Sequence, residues 1–179
     1  MVPNFVKESI KLSNQRDYYI EKIALDARNR LIEEGIIGED EKALSEEQLK
    51  QIVSFFGGEL IVHSEKEKGT FIQKTAADKY VIYYYRQYNY IQVIHELGHA
   101  FLNFDEMEIG RSYSFDGLGK EDSEASLFAR AFIMPRIKFE QVVIDYIIDG
   151  KFSVLDIAKE YRIDYLEVLA RGEELNIGN

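Results

Sequence analysis

Two histidines and a glutamate lie within five consecutive residues of this chain. His95 and His99 are four residues apart, and Glu96 directly follows the first. On an α-helix, residues four apart lie above one another on one face, so both imidazoles can bind a single metal ion. Glu96 then lies about 100° around the helix, beside the metal, where a carboxylate can act as a general base. The spacing therefore predicts a hydrolytic zinc site.

The residues around this segment favour a metal site over two chance surface histidines, although a five-residue pattern alone also occurs on ordinary helices. Apolar residues recur at helical spacing through the segment, and the pair uses two of only three histidines in the chain. A second helix with carboxylates follows. We therefore interpret the segment as the centre of a zinc-dependent peptidase.

A catalytic zinc usually takes three protein ligands, and the third has to come from outside the segment. An extended pattern would place glycine three residues and histidine six residues after His99, but Leu102 and Asp105 hold those positions. Glu124 begins the next predicted helix, and Glu121 lies one turn earlier. Either glutamate also suits a helix N-terminus, where negative charge is favoured by the helix dipole. From the spacing, Asp105, Glu121 and Glu124 all stay open as third ligands.

The elements that must position these residues follow from periodicity. Apolar residues at helical spacing predict helices over residues 17–33, 46–56, 90–102, 124–134, 137–148, 154–161 and 165–169. A capping box, Ser45 to Gln48, begins the second of them. Segments 59–63, 70–74 and 80–85 are rich in β-forming residues and predict a small antiparallel sheet. Residues 103–120 lack periodicity and are expected to form a long loop, which suits a lid over the site.

Substrate contacts can be assigned as hypotheses. An extended peptide can add to the edge of a sheet, and segment 80–85 is the expected edge strand. His63 and Tyr113 are candidates for stabilising the oxyanion that forms during attack.

Composition limits the partners and the compartment. The net charge is −10 and no basic patch is evident, so the chain as a whole repels nucleic acid and anionic membranes. The chain contains no cysteine, so a metal site has to use histidines and carboxylates. No stretch of about 18 apolar residues occurs. We expect a cytoplasmic protein that binds neither nucleic acid directly nor membranes, with its oligomeric state open.

The segment Glu124-Ala125-Ser126, followed by Phe128-Ala129 and Met134-Pro135, resembles the corresponding helix of the ImmA/IrrE family of metallopeptidases, given the upstream His95-Glu96-Leu97-Gly98-His99. The family typically has asparagine where Ser126 stands. The similarity runs from about residue 45 through the sheet to residues 156–161, which resemble the family's helix-turn-helix-like tail; the whole tail, residues 153–169, itself resembles a helix-turn-helix. The resemblance implies zinc ligands at His95, His99 and Glu124, with Glu96 as the catalytic acid and base.

Family resemblance also implies a substrate: a DNA-binding helix-turn-helix repressor, cut at a specific site. An alternative is a zinc-containing regulatory protein that sequesters a repressor without cutting it. A third possibility is direct DNA regulation through the tail, but the negative charge of the tail favours packing or partner docking.

The expected fold is α+β, with a zincin-like core that combines the small antiparallel sheet and the His-Glu helix. We expect the N-terminal helices and this peptidase core in residues 1–135, and a helical C-terminal subdomain in residues 136–179.

Overall fold

A computed structural model describes residues 4–87, 89–113, 119–150 and 152–177 of the 179-residue chain. Within these ranges the fold is α+β, with seven α-helices, two short 3-10 helices and one sheet. The helices are α1 (Asn4–Glu33), α2 (Glu46–Phe55), α3 (Ile91–Leu102), α4 (Lys120–Ile133), α5 (Arg136–Ile148), α6 (Val154–Tyr161) and α7 (Tyr165–Glu174). The strands are β1 (Gly58–His63), β2 (Phe71–Ala76), β3 (Lys79–Tyr85) and β4 (Ser112–Tyr113).

The sheet is mixed, so the predicted antiparallel sheet is wrong in one of its pairings. Its strand order is β1-β3-β2-β4, with β1 parallel to β3 and β2 antiparallel to both β3 and β4. The expectation that residues 80–85 form an edge strand is also wrong, because β3 lies between β1 and β2. The edges are β1 and the two-residue β4. Among the described strands, β1 and β4 are therefore the outer strands at which an incoming strand could pair.

Helix α3 carries the His-Glu segment and lies against the sheet, where it contacts β3 and β2. Its core face includes Ile94 and Leu97, which are fully buried. Its most extensive partner among the described elements is α4. Gly98 makes this contact close: a Cβ added there would lie 3.1 Å from both Cα and O of Ala125, and 3.2 Å from Phe128 Cδ1. The absence of a side chain at Gly98 thus lets the two backbones approach each other.

Helix α4 begins four residues before the predicted start at Glu124. Its N-cap is Gly119, which supplies no side-chain hydrogen bond, and its first turn contains Glu121 and Asp122. Phe128 and Phe132 fill its buried face, and Met134 caps the C-terminus before Pro135. The earlier start places Asp122 inside the helix, one turn before Ser126.

The segment after α3 contains structure where a long loop was expected. A 3-10 helix covers Phe104–Glu106, and β4 pairs with β2. Lys74 of β2 is buried and its Nζ donates to Phe104 O at 2.9 Å, while its carbonyl accepts from Gly110 N at 2.8 Å. This half of the segment is therefore held on the sheet. The rest of the expected lid, residues 114–118, lies outside the described residues.

The first and last helices both join α4. Helix α1 packs along α4, and α7 also contacts it. Arg171 of α7 is only 1% exposed. Its Nε donates to Met134 O at 3.0 Å and its Nη1 to Glu21 at 2.7 Å. A buried guanidinium with these partners fixes α7 to α1 and to the end of α4. Among the described helices, none is both long and apolar enough to cross a membrane.

Candidate metal centre

The structure brings His95 and His99 together on one face of α3. Their Nε2 atoms are 3.2 Å apart, with His99 fully buried and the side chain of His95 12% exposed. Helical spacing of four residues produces this juxtaposition, as expected from the sequence. Two nitrogens directed at one point are the start of a metal site.

Asp122 of α4 completes the group, and sequence reasoning did not single it out. Its Oδ1 lies 3.0 Å from His95 Nε2 and 3.7 Å from His99 Nε2. The ligand atoms of these three buried residues all lie within 4.8 Å of one another, so the group could hold a metal ion. The signal for Asp122 in the sequence is its spacing, since it lies four residues before Ser126 and two such residues share one face of a helix. In the structure, Ser126 contacts His95 from that face.

The three carboxylates considered from the sequence lie elsewhere. Glu124 is not part of the histidine group: its carboxylate accepts from Arg16 Nε at 3.1 Å and from Arg16 Nη2 at 2.6 Å. Glu121 and Asp105 are exposed. Glu124 as a metal ligand therefore stays a prediction from family resemblance, whereas the geometry groups Asp122 with the histidines.

Burial keeps both imidazoles neutral near physiological pH. Desolvation lowers the pKa of His95, and the carboxylate of Asp122 partly opposes this effect. The pKa of His99 is lowered to about 3, first by burial and then by the neighbouring His95. A neutral imidazole keeps the lone pair that a metal ion needs. The histidines are therefore in the correct protonation state to act as ligands.

Glu96 is buried beside the histidines and is 2% exposed. Burial, together with the charge of Asp122, raises its pKa well above the ordinary glutamate value. Its Oε2 has no hydrogen-bond partner among the residues that the structure describes. A buried polar atom is normally hydrogen-bonded, so this oxygen calls for water, substrate or another ligand group at the site.

The ring nitrogens that face away from the group also have neighbours. Ser126 Oγ lies 3.1 Å from His95 Nδ1. Asn103, which follows the last residue of α3, is close enough to the His99 side chain to oppose the lowering of its pKa. Ligand histidines in metalloproteins usually have such outer partners, which fix the orientation of the ring. In the sequence, Ser126 stands out only as a departure from the family's asparagine, and no pattern there marks Asn103 as a neighbour of His99.

The two oxyanion candidates do not join this group among the described contacts. His63 Nε2 donates to Gly69 O at 2.9 Å, its Nδ1 accepts from Glu65 N at 3.2 Å, and its ring packs near Phe71 and Tyr85. These contacts fix His63 at the end of β1. The backbone of Tyr113 belongs to β4, opposite Ile72, and its side chain lies outside the described part of the chain.

Two helices that present two histidines and a carboxylate, with a further buried glutamate beside them, form the kind of site that metallopeptidases use. The comparison with protein families agrees with this class. Residues 86–172, just under half of the chain, match the peptidase M78 family, described as IrrE N-terminal-like domain. The match confirms the ImmA/IrrE resemblance and indicates a metallopeptidase-type function. Searches of curated proteins and of solved structures found no match.

Proposed function

We propose that this chain is a zinc-dependent endopeptidase whose ligands are His95, His99 and Asp122. The observation that carries the proposal is the convergence of the three ligand atoms, with Oδ1 of Asp122 3.0 Å from His95 Nε2. The family match over both helices of the site supports it.

The residues present fit a zinc ion by their chemistry. Two imidazole nitrogens and one carboxylate oxygen are common zinc donors, and three protein ligands are typical of catalytic zinc. Burial lowers the pKa of both imidazoles, which favours their neutral forms, and Oε2 of Glu96, which has no partner among the described residues, lies next to the group. When bound, zinc supplies Lewis acidity, which makes water more acidic and polarises a peptide carbonyl.

Glu96 has the role of general base and then general acid in this proposal. Its raised pKa brings its proton affinity closer to neutral pH, which suits a group that takes a proton from water and later gives it to the departing amine. Its Oε2, which has no hydrogen-bond partner among the described residues, can accept a hydrogen bond from a water molecule at the site. Retention of this glutamate favours catalysis over sequestration, because binding alone does not need a buried base.

Asp122 is our choice for the third ligand, and Glu124 is the alternative. A gluzincin-type site would use Glu124, and this carboxylate would first have to leave Arg16, which lowers its pKa through a direct hydrogen bond. Asp122 needs no such rearrangement. The geometry thus favours two histidines and an aspartate in a zincin-like arrangement of helix and sheet.

The proposed substrate is a DNA-binding helix-turn-helix repressor. The ImmA/IrrE resemblance implies this substrate class, and charge agrees with it: proteins that bind DNA carry basic surfaces, and this chain has a net charge of −10. Complementary charge speeds and orients protein association. We therefore expect the enzyme to recognise the repressor and not its DNA site.

Metal analysis and a cleavage assay test the function together. Elemental mass spectrometry of the purified protein should find about one zinc per chain, as expected for a mononuclear site. Incubation of the wild type with helix-turn-helix repressors encoded near its own gene should yield specific fragments. Glu96→Gln should abolish this cleavage but keep zinc and repressor binding. A wild type without zinc after supplementation contradicts the proposal. Repressor release by Glu96→Gln at the wild-type level would instead support sequestration.

A further inference from the structure

The imidazole of His95 lies between two residues of the neighbouring helix. Asp122 Oδ1 is 3.0 Å from its Nε2, and Ser126 Oγ is 3.1 Å from its Nδ1. Asp122 and Ser126 are four residues apart on α4, so both project from one face of that helix. One turn of α4 therefore contacts both nitrogens of a single ring.

The Ser126 hydroxyl can hold this ring with and without metal. Without metal, Asp122 can accept a hydrogen bond from Nε2–H, and the Ser126 hydroxyl then donates to Nδ1. With metal on Nε2, the single proton of the neutral ring lies on Nδ1, and the same hydroxyl oxygen accepts its hydrogen bond. We propose that Ser126 is a positioning residue, which holds the ring of His95 in the orientation that directs Nε2 to the metal. This inference rests on the proposed function for its purpose, although the contact itself does not.

The spacing of the helices explains why a side chain as short as serine can reach the ring. A Cβ on Gly98 would lie 3.1 Å from Ala125 Cα, so α3 and α4 are close next to Ser126. The side chain of serine extends only one heavy atom beyond Cβ. Gly98 and Ser126 thus form a matched pair: the first brings the helices together, and the second spans the short remaining gap.

The alternative is a serine with only a structural role. Serine within a helix often hydrogen-bonds to a carbonyl of the preceding turn, and in that case it contributes little beyond packing. Loss of such a serine would change stability without changing hydrogen bonding at Nδ1 of His95. The test therefore needs a readout specific to the histidine.

Three variants separate these roles. Ser126→Ala removes the hydroxyl, and Ser126→Asn restores a hydrogen-bonding group through its amide. Ser123→Ala is the matched control, because Ser123 is exposed on the same helix and donates to Gly119 O, away from His95. Long-range ¹H–¹⁵N spectra of metal-free protein with ¹⁵N-labelled histidine report hydrogen bonding at Nδ1 of His95 through its ¹⁵N chemical shift. Competition with a chromophoric chelator reports zinc affinity.

We expect the Nδ1 shift of wild type, Ser126→Asn and Ser123→Ala to show a hydrogen-bonded nitrogen, and that of Ser126→Ala to move towards the value of a ring nitrogen without this hydrogen bond. Zinc affinity of Ser126→Ala should fall about 10- to 100-fold, as typically found when an outer partner of a ligand is removed. An unchanged Nδ1 shift and unchanged zinc affinity in Ser126→Ala overturn the positioning role. If wild type binds no zinc, the proposed function fails, while the change in the Nδ1 shift alone still supports the role of Ser126.

Discussion

Two faces of α4 hold carboxylates only two residues apart, and these carboxylates have different surroundings. Asp122 faces α3, where it lies 3.0 Å from an imidazole. Glu124 faces α1, where Arg16 donates two hydrogen bonds to it. Two residues correspond to about 200° around a helix, so neighbours in sequence point in nearly opposite directions. The position of a residue along a helix therefore does not identify it as a ligand unless its angular position around the helix axis is also known.

The largest expected effect is on zinc content, when each of the two carboxylates is replaced by its amide in a separate variant. Asp122→Asn should lose nearly all bound zinc, because an amide oxygen is a much poorer zinc donor than a carboxylate. Glu124→Gln should retain about one zinc per chain, as a site with its ligands intact does. Elemental mass spectrometry of both proteins after zinc supplementation and dialysis measures the difference.

Arg16→Gln is the control for Glu124→Gln, since it breaks the same ion pair and leaves both carboxylates in place. Zinc lost from Glu124→Gln and kept in Asp122→Asn would contradict our choice and support the ligand set implied by family resemblance.

A methyl group on Gly98 should disturb the packing of α4 against α3, on the side of Asp122, and leave the packing of α4 against α1, on the side of Glu124, unchanged. Gly98→Ala places an atom 3.1 Å from the Ala125 backbone, which cannot move aside as a flexible side chain can. We expect the free energy of unfolding to fall by about 1–3 kcal/mol and zinc affinity to fall with it. Urea denaturation measures the first quantity and chelator competition the second.

Gly172→Ala provides a matched glycine in α7, where an added Cβ meets nothing within 4 Å. Alanine should raise stability there by up to about 1 kcal/mol through helix propensity. Equal effects of the two substitutions would show that close approach of α3 and α4 is not needed.

As the pH falls, the metal-free protein should first lose stability through His99, on the side of α4 that contacts α3. The lowered pKa of His99 keeps it neutral when folded, while in the unfolded chain it takes up a proton below about pH 6.5. Stability should therefore fall as the pH drops, by about 1 kcal/mol from this residue at pH 5.5. Glu124 has a lowered pKa, so its contribution is present above about pH 4.5 and is lost only at lower pH.

Urea unfolding of metal-free wild type and His99→Gln, at neutral pH and at about pH 5.5, isolates the contribution of His99 to the loss of stability. The variant should show the smaller decline. Identical declines would mean that His99 does not resist protonation in the folded state.

The smallest effect should come from Arg16→Gln alone. The side chain of Arg16 is 38% exposed, so solvent screens its ion pair with Glu124, and the loss should be under about 1 kcal/mol. Thermal unfolding at low and high salt measures it, with the difference from wild type shrinking in high salt. A loss that is large and independent of salt would indicate that Glu124 is needed for the fold.

Local features of the chain were predictable where the signal itself is local. The capping box at the start of α2 is confirmed, with Gln48 N donating to Ser45 Oγ at 3.2 Å and Ser45 N donating to the Gln48 side chain at 2.9 Å. The α+β class and the helix that carries His95 and His99 also match expectation. Apolar spacing and capping residues determine these elements with little help from the rest of the fold.

Features that depend on distant partners were missed. The first turn of α4 is polar and begins at Gly119 without a side-chain cap, so periodicity could not reveal that Asp122 is helical. The parallel pairing of β1 with β3 depends on which strands become neighbours, and short β-rich segments do not encode this choice. Both errors bear on the candidate site, since the first concerns a residue of the histidine group and the second concerns which sheet edges are free.

The buried contact of Arg171 has a consequence for synthesis of the protein. Arg171 contacts Glu21, 150 positions earlier in the chain, and also Met134 at the end of α4. Chains grow from the N-terminus, so α1 and α4 leave the ribosome before Arg171, which joins them, has been added. This contact can form only after α7 has also left the ribosome. Ribosome-bound chains that stop short of α7 should therefore be more sensitive to proteases than the released protein.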